Sequence, residues 1–168
     1  MRRKRPPRIP RFEYVGLHAY SLTICTQDRH SAFGDPILAK GVCTQFLHIG
    51  VDYGFEIIVH CVMPDHAHAL VQGLREDSCF VKFVSMFKQR SAYAYRSANG
   101  HRLWQEGFFD HVLRDDESLL GVAAYIVNNP IRAGLCRTLA EYPFLGSSRY
   151  TIQELIDAAQ IRPGRSRP

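Results

Sequence analysis

The sequence contains no uninterrupted apolar run near the length of about 20 residues that a transmembrane helix needs, so no membrane span is predicted. A secretory signal is not indicated either, because Pro6, Pro7 and Pro10 stand where an apolar stretch would have to follow the basic N-terminus. The five cysteines form no C-x-x-C pair, which argues against a structural zinc knuckle. Together these absences predict a cytoplasmic protein with reduced thiols and no membrane partner.

Acidic residues are absent from both ends of the chain. Residues 1–11 carry six basic side chains and residues 161–168 carry three, and subtracting these nine from the total of 21 leaves 12 basic against 16 acidic side chains in between. The net charge of +5 therefore resides in two proline-containing tails, which we expect to be disordered on their own. Arginine-rich tails suit binding to nucleic-acid phosphates. A solubilising or targeting role is the alternative that charge alone leaves open.

Between the tails, the pattern of apolar residues predicts a single α+β domain over residues 12–160. Six elements are predicted, in the order strand, helix, strand, strand, helix, strand: His18–Thr26, Pro36–Tyr53, Phe55–Val62, His66–Gln72, Ser78–Ala98 and Leu103–Leu113. This order is the split βαβ arrangement of ferredoxin-like folds. We therefore expect an antiparallel sheet with helices on one face.

Two histidines open the fourth of these elements. Successive side chains on a strand point to opposite faces, so His66 and His68 share one face, with Cα atoms roughly 6.6 Å apart. Both imidazoles can then reach one metal ion and leave further coordination positions open. The plainer alternative is a pair of exposed histidines on the polar face of a half-buried strand.

A third helix is predicted over Asp116–Asn129, with Pro130 preventing its continuation. Tyr125 and Asn129 are four residues apart, so a phenol and a carboxamide would lie on one edge of this helix. Two imidazoles, an amide oxygen and a nearby phenol form a set that could cut phosphodiesters. Magnesium or manganese is the expected cation, and manganese suits the mixed nitrogen and oxygen ligands better.

Three segments resemble the REP-associated tyrosine transposases, an IS200-like family of the HUH single-strand endonuclease superfamily. They read MPDHAH at 63–68, LWQEGFFD at 103–110 and YIVNNPIRAGL at 125–135. Tyr142–Pro143 followed by Ser147–Ser148 is similar to a further family element. The resemblance spans roughly residues 14–150 and implies a ferredoxin-like sheet with the histidine pair on a central strand and a catalytic helix C-terminal to it.

The resemblance also implies roles for individual residues. His66, His68 and Asn129 match metal ligands, and Tyr125 matches a nucleophile that forms a covalent 5′-phosphotyrosine with single-stranded, REP-like hairpin DNA. The chain departs from the family pattern at Ala67, where a bulkier apolar residue is usual, and at Asp65, where asparagine is common. Neither departure removes a ligand or the nucleophile, so we expect an active enzyme. The resemblance leaves both a monomer and a homodimer open.

Basic and aromatic residues are the expected DNA contacts. They are Arg2, Arg3, Lys4, Arg5, Arg8 and Arg11 in the N-terminal arm, Lys88 and Arg90 in the second helix, Trp104, and Arg132. Two other functions stay open at this stage. One is a metal-dependent phosphodiesterase that uses water as its nucleophile, and the other is a catalytically silent hairpin-binding protein.

Overall fold

A computed structural model describes residues 12–114 and 118–160 as an α+β fold around a five-stranded antiparallel sheet. Its strand order is β4-β1-β3-β2-β5. The strands are β1 (Ala19–Cys25), β2 (Phe55–Met63), β3 (His66–Gly73), β4 (Phe109–Val112) and β5 (Leu145–Gly146). Within the described residues, no helix combines the length and apolar character needed to cross a membrane.

The order of the strands confirms the ferredoxin-like prediction. Strand β3 pairs antiparallel with both β1 and β2, so it lies between two strands that run parallel to each other. Helix α1 (Pro36–Tyr53) connects β1 to β2, and helix α2 (Phe80–Asn99) connects β3 to β4. This is the split βαβ arrangement, and it makes β3 the central strand.

Local capping explains why α1 has the predicted bounds. The Asp35 side chain accepts a hydrogen bond from the Ile37 backbone N–H at 2.8 Å, and Pro36 occupies the first turn, where a missing N–H costs nothing. The helix ends at Gly54, whose φ of 68° is a left-handed conformation that glycine adopts without strain.

Strand β3 contributes to a hydrophobic core on each face of the sheet. Ala67, Ala69 and Val71 belong to the core that α1 and α2 cover. Leu70 belongs to the second core, which is covered by α3 (Leu119–Val127) and α5 (Ile152–Gln160). Because positions 66, 68 and 70 alternate with 67, 69 and 71, the histidine pair lies on the same face as α3.

The fourth strand is shorter than predicted. The sequence pattern indicated Leu103–Leu113, whereas β4 covers only Phe109–Val112. Leu103 and Trp104 are buried in the preceding loop, where Trp104 forms an isolated bridge with Thr26. Gly107, which follows them in this loop, has a φ of 81°. The apolar character of Leu103 and Trp104 therefore reflects burial in a loop and not membership of the strand.

The third helix also differs from the prediction of Asp116–Asn129. Helix α3 begins after Ser118, whose Oγ accepts a hydrogen bond from Gly121 N at 3.1 Å, and it ends at Val127. Asn129 instead opens the short helix α4 (Asn129–Arg132). Pro130 has no N–H and its ring would clash with the carbonyl four residues earlier, so the chain starts a new turn. The prediction that Tyr125 and Asn129 share one helix was therefore wrong.

The C-terminal family element fastens the outer edge of the sheet. The Ser148 Oγ accepts a hydrogen bond from Ile57 N at 2.9 Å, and Ser147 Oγ donates to Ile57 O at 3.1 Å. These contacts lie beside an irregularity in the pairing of β2 with β3 between Ile57 and Val59. Tyr142 Oη donates to Val62 O at 2.6 Å further along β2. The two serines thus provide hydrogen-bond partners for the backbone N–H and carbonyl of Ile57.

Candidate metal and nucleophile site

The central strand places the histidine pair at the start of β3, directly after the Pro64–Asp65 turn. His66 lies opposite Cys25 of β1, and His68 lies opposite Thr23. The Nε2 atoms of the two histidines are 3.0 Å apart, and their rings are nearly perpendicular. The prediction that both rings share one face of the strand is confirmed by this contact.

The other nitrogen of each ring has its own partner. Nδ1 of His66 lies 2.6 Å from Asp65 Oδ1, and Nδ1 of His68 lies 2.9 Å from Thr23 Oγ1. A carboxylate can only accept a hydrogen bond, so the His66 Nδ1 carries the proton and its Nε2 presents a lone pair. The Nε2 atom of His68 lies 3.0 Å from the Nε2 atom of His66. At this distance the His68 Nε2 either donates a hydrogen to the His66 lone pair or, with a lone pair of its own, forms a donor pair for a cation.

Burial favours the uncharged form of His68. The pKa of His68 is lowered to about 4, mainly because burial penalises the charged ring, with His66 and Arg29 adding to the effect. A neutral imidazole is the form that binds a metal. The environment of the pair is therefore suited to a divalent cation at neutral pH.

A third protein ligand for a cation at this pair would have to be of another type. Across residues 12–114 and 118–160, no group of three His, Cys, Asp or Glu side chains could hold a metal ion. Asn129 offers a carboxamide, and its Nδ2 atom is buried with no hydrogen-bond partner among the residues that the structure describes. The two ends of an amide can be exchanged, which would put an oxygen at that position. Two imidazoles and an amide oxygen form a donor set that fits manganese or magnesium.

Helix α3 presents Tyr125 to solvent. Ile126 and Val127 pack into the second core together with Leu70 and Met63, which fixes the helix against β2 and β3. The Tyr125 side chain points away from this core and is 53% exposed. The guanidinium carbon of Arg132 lies 4.6 Å from the centre of its ring, a distance typical of a cation–π contact. The phenol is therefore open to a ligand and has a positive charge beside it.

Several expected DNA contacts have intramolecular roles. Lys88 Nζ donates hydrogen bonds to the carbonyls of Gln105 and Gly107 at 2.8 and 2.9 Å, which holds the loop before β4. Arg90 forms an ion pair with Asp52 at 2.6 Å, between α2 and α1. Arg132 is exposed beside Tyr125. The basic side chains at positions 2–11 lie outside the described residues.

The prediction that Trp104 contacts DNA was wrong. Its ring was expected to stack on DNA, but it is only 4% exposed and packs near Phe33 and Phe87. Its Nε1 donates a hydrogen bond to Ser91 Oγ at 2.9 Å. The sequence pattern placed Trp104 in the aromatic-rich strand predicted over Leu103–Leu113, whereas the residue lies in the loop before β4. Its position in the core depends on the packing of α2 against the sheet.

Two residues near the histidines were not anticipated. Thr23 contacts His68, and Arg29 Nε lies 3.0 Å from Asp65 Oδ2. The alternation of β1 could have indicated that Thr23 faces the site once the pairing of β1 with β3 was known. Nothing in the local sequence around Arg29 identifies its partner, because that contact joins a turn after β1 to the turn before β3.

Comparison with known proteins places these features in a family context. A family model described as Transposase IS200 like matches residues 14–129. A protein of Haemophilus influenzae described as a putative REP-associated tyrosine transposase is 26% identical over 136 residues, which cover 74% of this chain and 77% of that protein. A REP-associated tyrosine transposase of Escherichia coli is 27% identical over 93 residues, which cover 55% of this chain and 54% of that protein.

Solved structures agree with the fold. The structure of a REP-associated tyrosine transposase bound to a REP hairpin aligns with a TM-score of 0.67 at 20% identity, and the alignment covers 83% of this chain and 82% of that one. A putative transposase from Deinococcus radiodurans aligns with a TM-score of 0.50 at 26% identity, over 68% of this chain and 92% of that one. At 20% identity, the first alignment shows that the two proteins share a fold and nothing more.

The core position of Trp104 gives a direct test of its role. Trp104→Phe should lower the free energy of unfolding by about 1–3 kcal/mol, because it removes buried volume and the hydrogen bond to Ser91. Ser91→Ala removes the same hydrogen bond from the other side and should also destabilise the protein. Urea unfolding measures both effects. Unchanged stability of Trp104→Phe, together with weaker binding to single-stranded DNA, would contradict the core assignment.

Proposed function

Because the chain belongs to the family of IS200-like transposases, we propose that this enzyme cuts and rejoins single-stranded hairpin DNA through a covalent bond to Tyr125. In this proposal His66, His68 and Asn129 hold a magnesium or manganese ion, and Tyr125 is the nucleophile. The observation that carries the proposal is the pair of imidazole Nε2 atoms 3.0 Å apart on the face of the sheet that α3 covers. Helix α3 in turn exposes a phenol at its solvent side.

His66 and His68 would hold the cation that acts on the reacting phosphate. A bound divalent cation withdraws negative charge from a phosphodiester and aligns it for in-line attack. Asp65 and Thr23 keep the two rings in place, since each contacts one Nδ1 atom. Asn129, whose amide Nδ2 position is buried with no partner among the described residues, is suited to complete the set.

Tyr125 supplies the covalent chemistry. Its phenolic oxygen attacks the phosphorus, the bond from phosphorus to the 3′-oxygen breaks, and the departing strand takes up a proton to become a 3′-hydroxyl. The phenolic proton leaves to solvent or base, and the positive charge of Arg132 beside the ring favours the developing phenolate. The 5′-phosphotyrosine retains the phosphodiester bond energy, so another 3′-hydroxyl can displace Tyr125 and rejoin the strand.

The proposed substrate is a single-stranded hairpin. A tyrosine that must reach a phosphodiester requires an accessible strand, and the structural neighbour described above is bound to a REP hairpin. The six basic side chains of residues 1–11 would contact the phosphate backbone next to the hairpin. Acting on chromosomal DNA, the enzyme would work in the cytoplasm, as a monomer or as a homodimer.

Replacing Tyr125 tests the nucleophile. Tyr125→Phe loses only the hydroxyl, so it should still bind a hairpin oligonucleotide and manganese, but it should form no covalent adduct and make no cut. A labelled hairpin analysed on a denaturing gel measures both products. Tyr93→Phe is the matched control, because Tyr93 is also an exposed tyrosine but lies on α2, on the other face of the sheet.

Two results would contradict this assignment. If Tyr125→Phe cuts at the wild-type rate, water or another residue is the nucleophile and the protein is a metal-dependent phosphodiesterase. If the wild-type protein binds the hairpin with manganese present and neither cuts it nor forms an adduct, the protein is a silent hairpin-binding protein. The wild-type protein should not cut a perfect duplex of the same sequence.

Deleting residues 1–11 tests the basic arm. Each lost phosphate contact should lower the magnitude of the slope of log affinity against log salt by about 0.7–0.9, so the truncated protein should bind more weakly and depend less on salt. Fluorescence anisotropy of a hairpin at several salt concentrations measures the slope. An unchanged slope would show that the arm does not contact DNA and would favour the solubilising role.

A further inference from the structure

Asp65 occupies a corner where the β2–β3 turn meets the end of β1. Its backbone carbonyl accepts two hydrogen bonds from Thr26, from the backbone N–H at 2.9 Å and from the hydroxyl at 2.9 Å. Thr26 is fully buried, and its hydroxyl also contacts the carbonyl of His30 at 2.7 Å. The backbone of Asp65 is therefore held firmly, and its side chain has a defined direction relative to His66.

The two histidines differ in what their partners allow. The hydroxyl of Thr23 can donate or accept, so it is compatible with either tautomer of His68. The carboxylate of Asp65 can only accept, so its 2.6 Å contact with His66 Nδ1 permits a single neutral tautomer. In that tautomer the Nε2 atom of His66 has a lone pair directed at the space between the rings. Asp65 is thus the contact that decides which form of His66 is present.

A strained turn supplies the second partner of Asp65. Asp28 and Arg29 have φ values of 54° and 59°, a left-handed conformation that residues other than glycine rarely adopt. The turn brings Arg29 Nε to 3.0 Å from Asp65 Oδ2, and Arg29 Nη1 donates to Cys25 Sγ at 2.9 Å. Both oxygens of the carboxylate are therefore engaged, one by the guanidinium and one by the imidazole.

From this geometry we propose that Arg29 and Asp65 form a hydrogen-bonded chain that locks the tautomer of His66 and thereby sets the cation affinity of the histidine pair. Asp65 is then a positioning residue that acts through His66, and Arg29 is a positioning residue that acts through Asp65. The inference rests on the proposed function, because it concerns the residues behind the proposed ligands.

The charge of Arg29 gives this chain a second consequence. A carboxylate beside a phosphate-binding site would repel the substrate if it stood alone. The guanidinium next to Asp65 balances that charge, so the carboxylate can orient His66 without presenting net negative charge to the DNA. The aspartate at position 65 and the turn that presents Arg29 therefore work together.

Substitution of Asp65 in the full-length protein tests the proposal with two measurements. Nitrogen-15 NMR of the histidine side chains, recorded without metal, reports the tautomer of His66, and calorimetric titration with manganese chloride reports affinity. The wild-type protein should show a protonated Nδ1 on His66. Asp65→Ala should lose that tautomer and bind manganese about 10- to 100-fold more weakly. Asp65→Asn keeps the side-chain volume and one acceptor oxygen, so its affinity should lie between the two.

Matched variants separate positioning from a general loss of charge. Asp77→Ala removes an aspartate that also pairs with an arginine, Arg75, at 3.1 Å, but this pair follows the end of β3 opposite to the one that carries the histidines. It should leave the tautomer and the manganese affinity unchanged. Arg29→Gln should weaken manganese binding less than Asp65→Ala, because His66 keeps its acceptor. Circular dichroism confirms that each variant is folded.

The outcomes distinguish this inference from the proposed function. If the wild-type protein binds manganese and Asp65→Ala and Asp65→Asn bind it within twofold of the same affinity, the inference fails while the proposed function stands. The inference also fails if the His66 tautomer is unchanged in Asp65→Ala. If the wild-type protein binds no manganese, the proposed cation site and the inference fail together.

Discussion

The central constraint in this protein is the close approach of two imidazole nitrogens. The Nε2 atoms of His66 and His68 lie 3.0 Å apart, while their Nδ1 atoms contact Asp65 and Thr23. Each ring is held at its other nitrogen, and the Thr23 hydroxyl is compatible with either tautomer of His68. The His68 Nε2 can therefore donate a hydrogen to the His66 lone pair or direct a second lone pair at the same point. The first arrangement is a hydrogen bond between two neutral rings, and the second is a donor pair for a cation. The lowered pKa of His68 keeps its ring uncharged, which is the form that binds a metal.

The rest of the fold maintains that arrangement. Strand β3 lies between β1 and β2, so Thr23 comes from one neighbour and the Asp65 turn connects to the other. The small side chains of Ala67 and Ala69 face α1 and α2 and let the sheet pack closely beneath the pair. On the opposite face α3 packs against Leu70, which brings the helix carrying Tyr125 to the side of the sheet that bears the histidines. The site thus depends on both cores of the protein.

Features fixed by local chemistry could be predicted from the sequence. Pro36 and Gly54 defined α1, and strand alternation put His66 and His68 on one face. Features that depend on contacts between distant segments could not. Trp104 lies in the core because Ser91 of α2 accepts its N–H, and Arg29 reaches Asp65 only because a left-handed turn follows β1. The end of α3 could be predicted only in part, because Pro130 indicated a break but did not indicate that Asn129 would begin the next helix.

Manganese binding by the histidine pair tests the central claim most directly. Electron paramagnetic resonance and calorimetric titration of the wild-type protein should show one manganese ion per chain, without DNA and without any dependence on catalysis. His66→Ala and His68→Ala should each lose this binding while keeping the fold, because both side chains lie at the margin of the second core and not within it. Equal binding by the wild-type protein and both variants, or no binding by the wild-type protein, would contradict the assignment of this pair as a metal site.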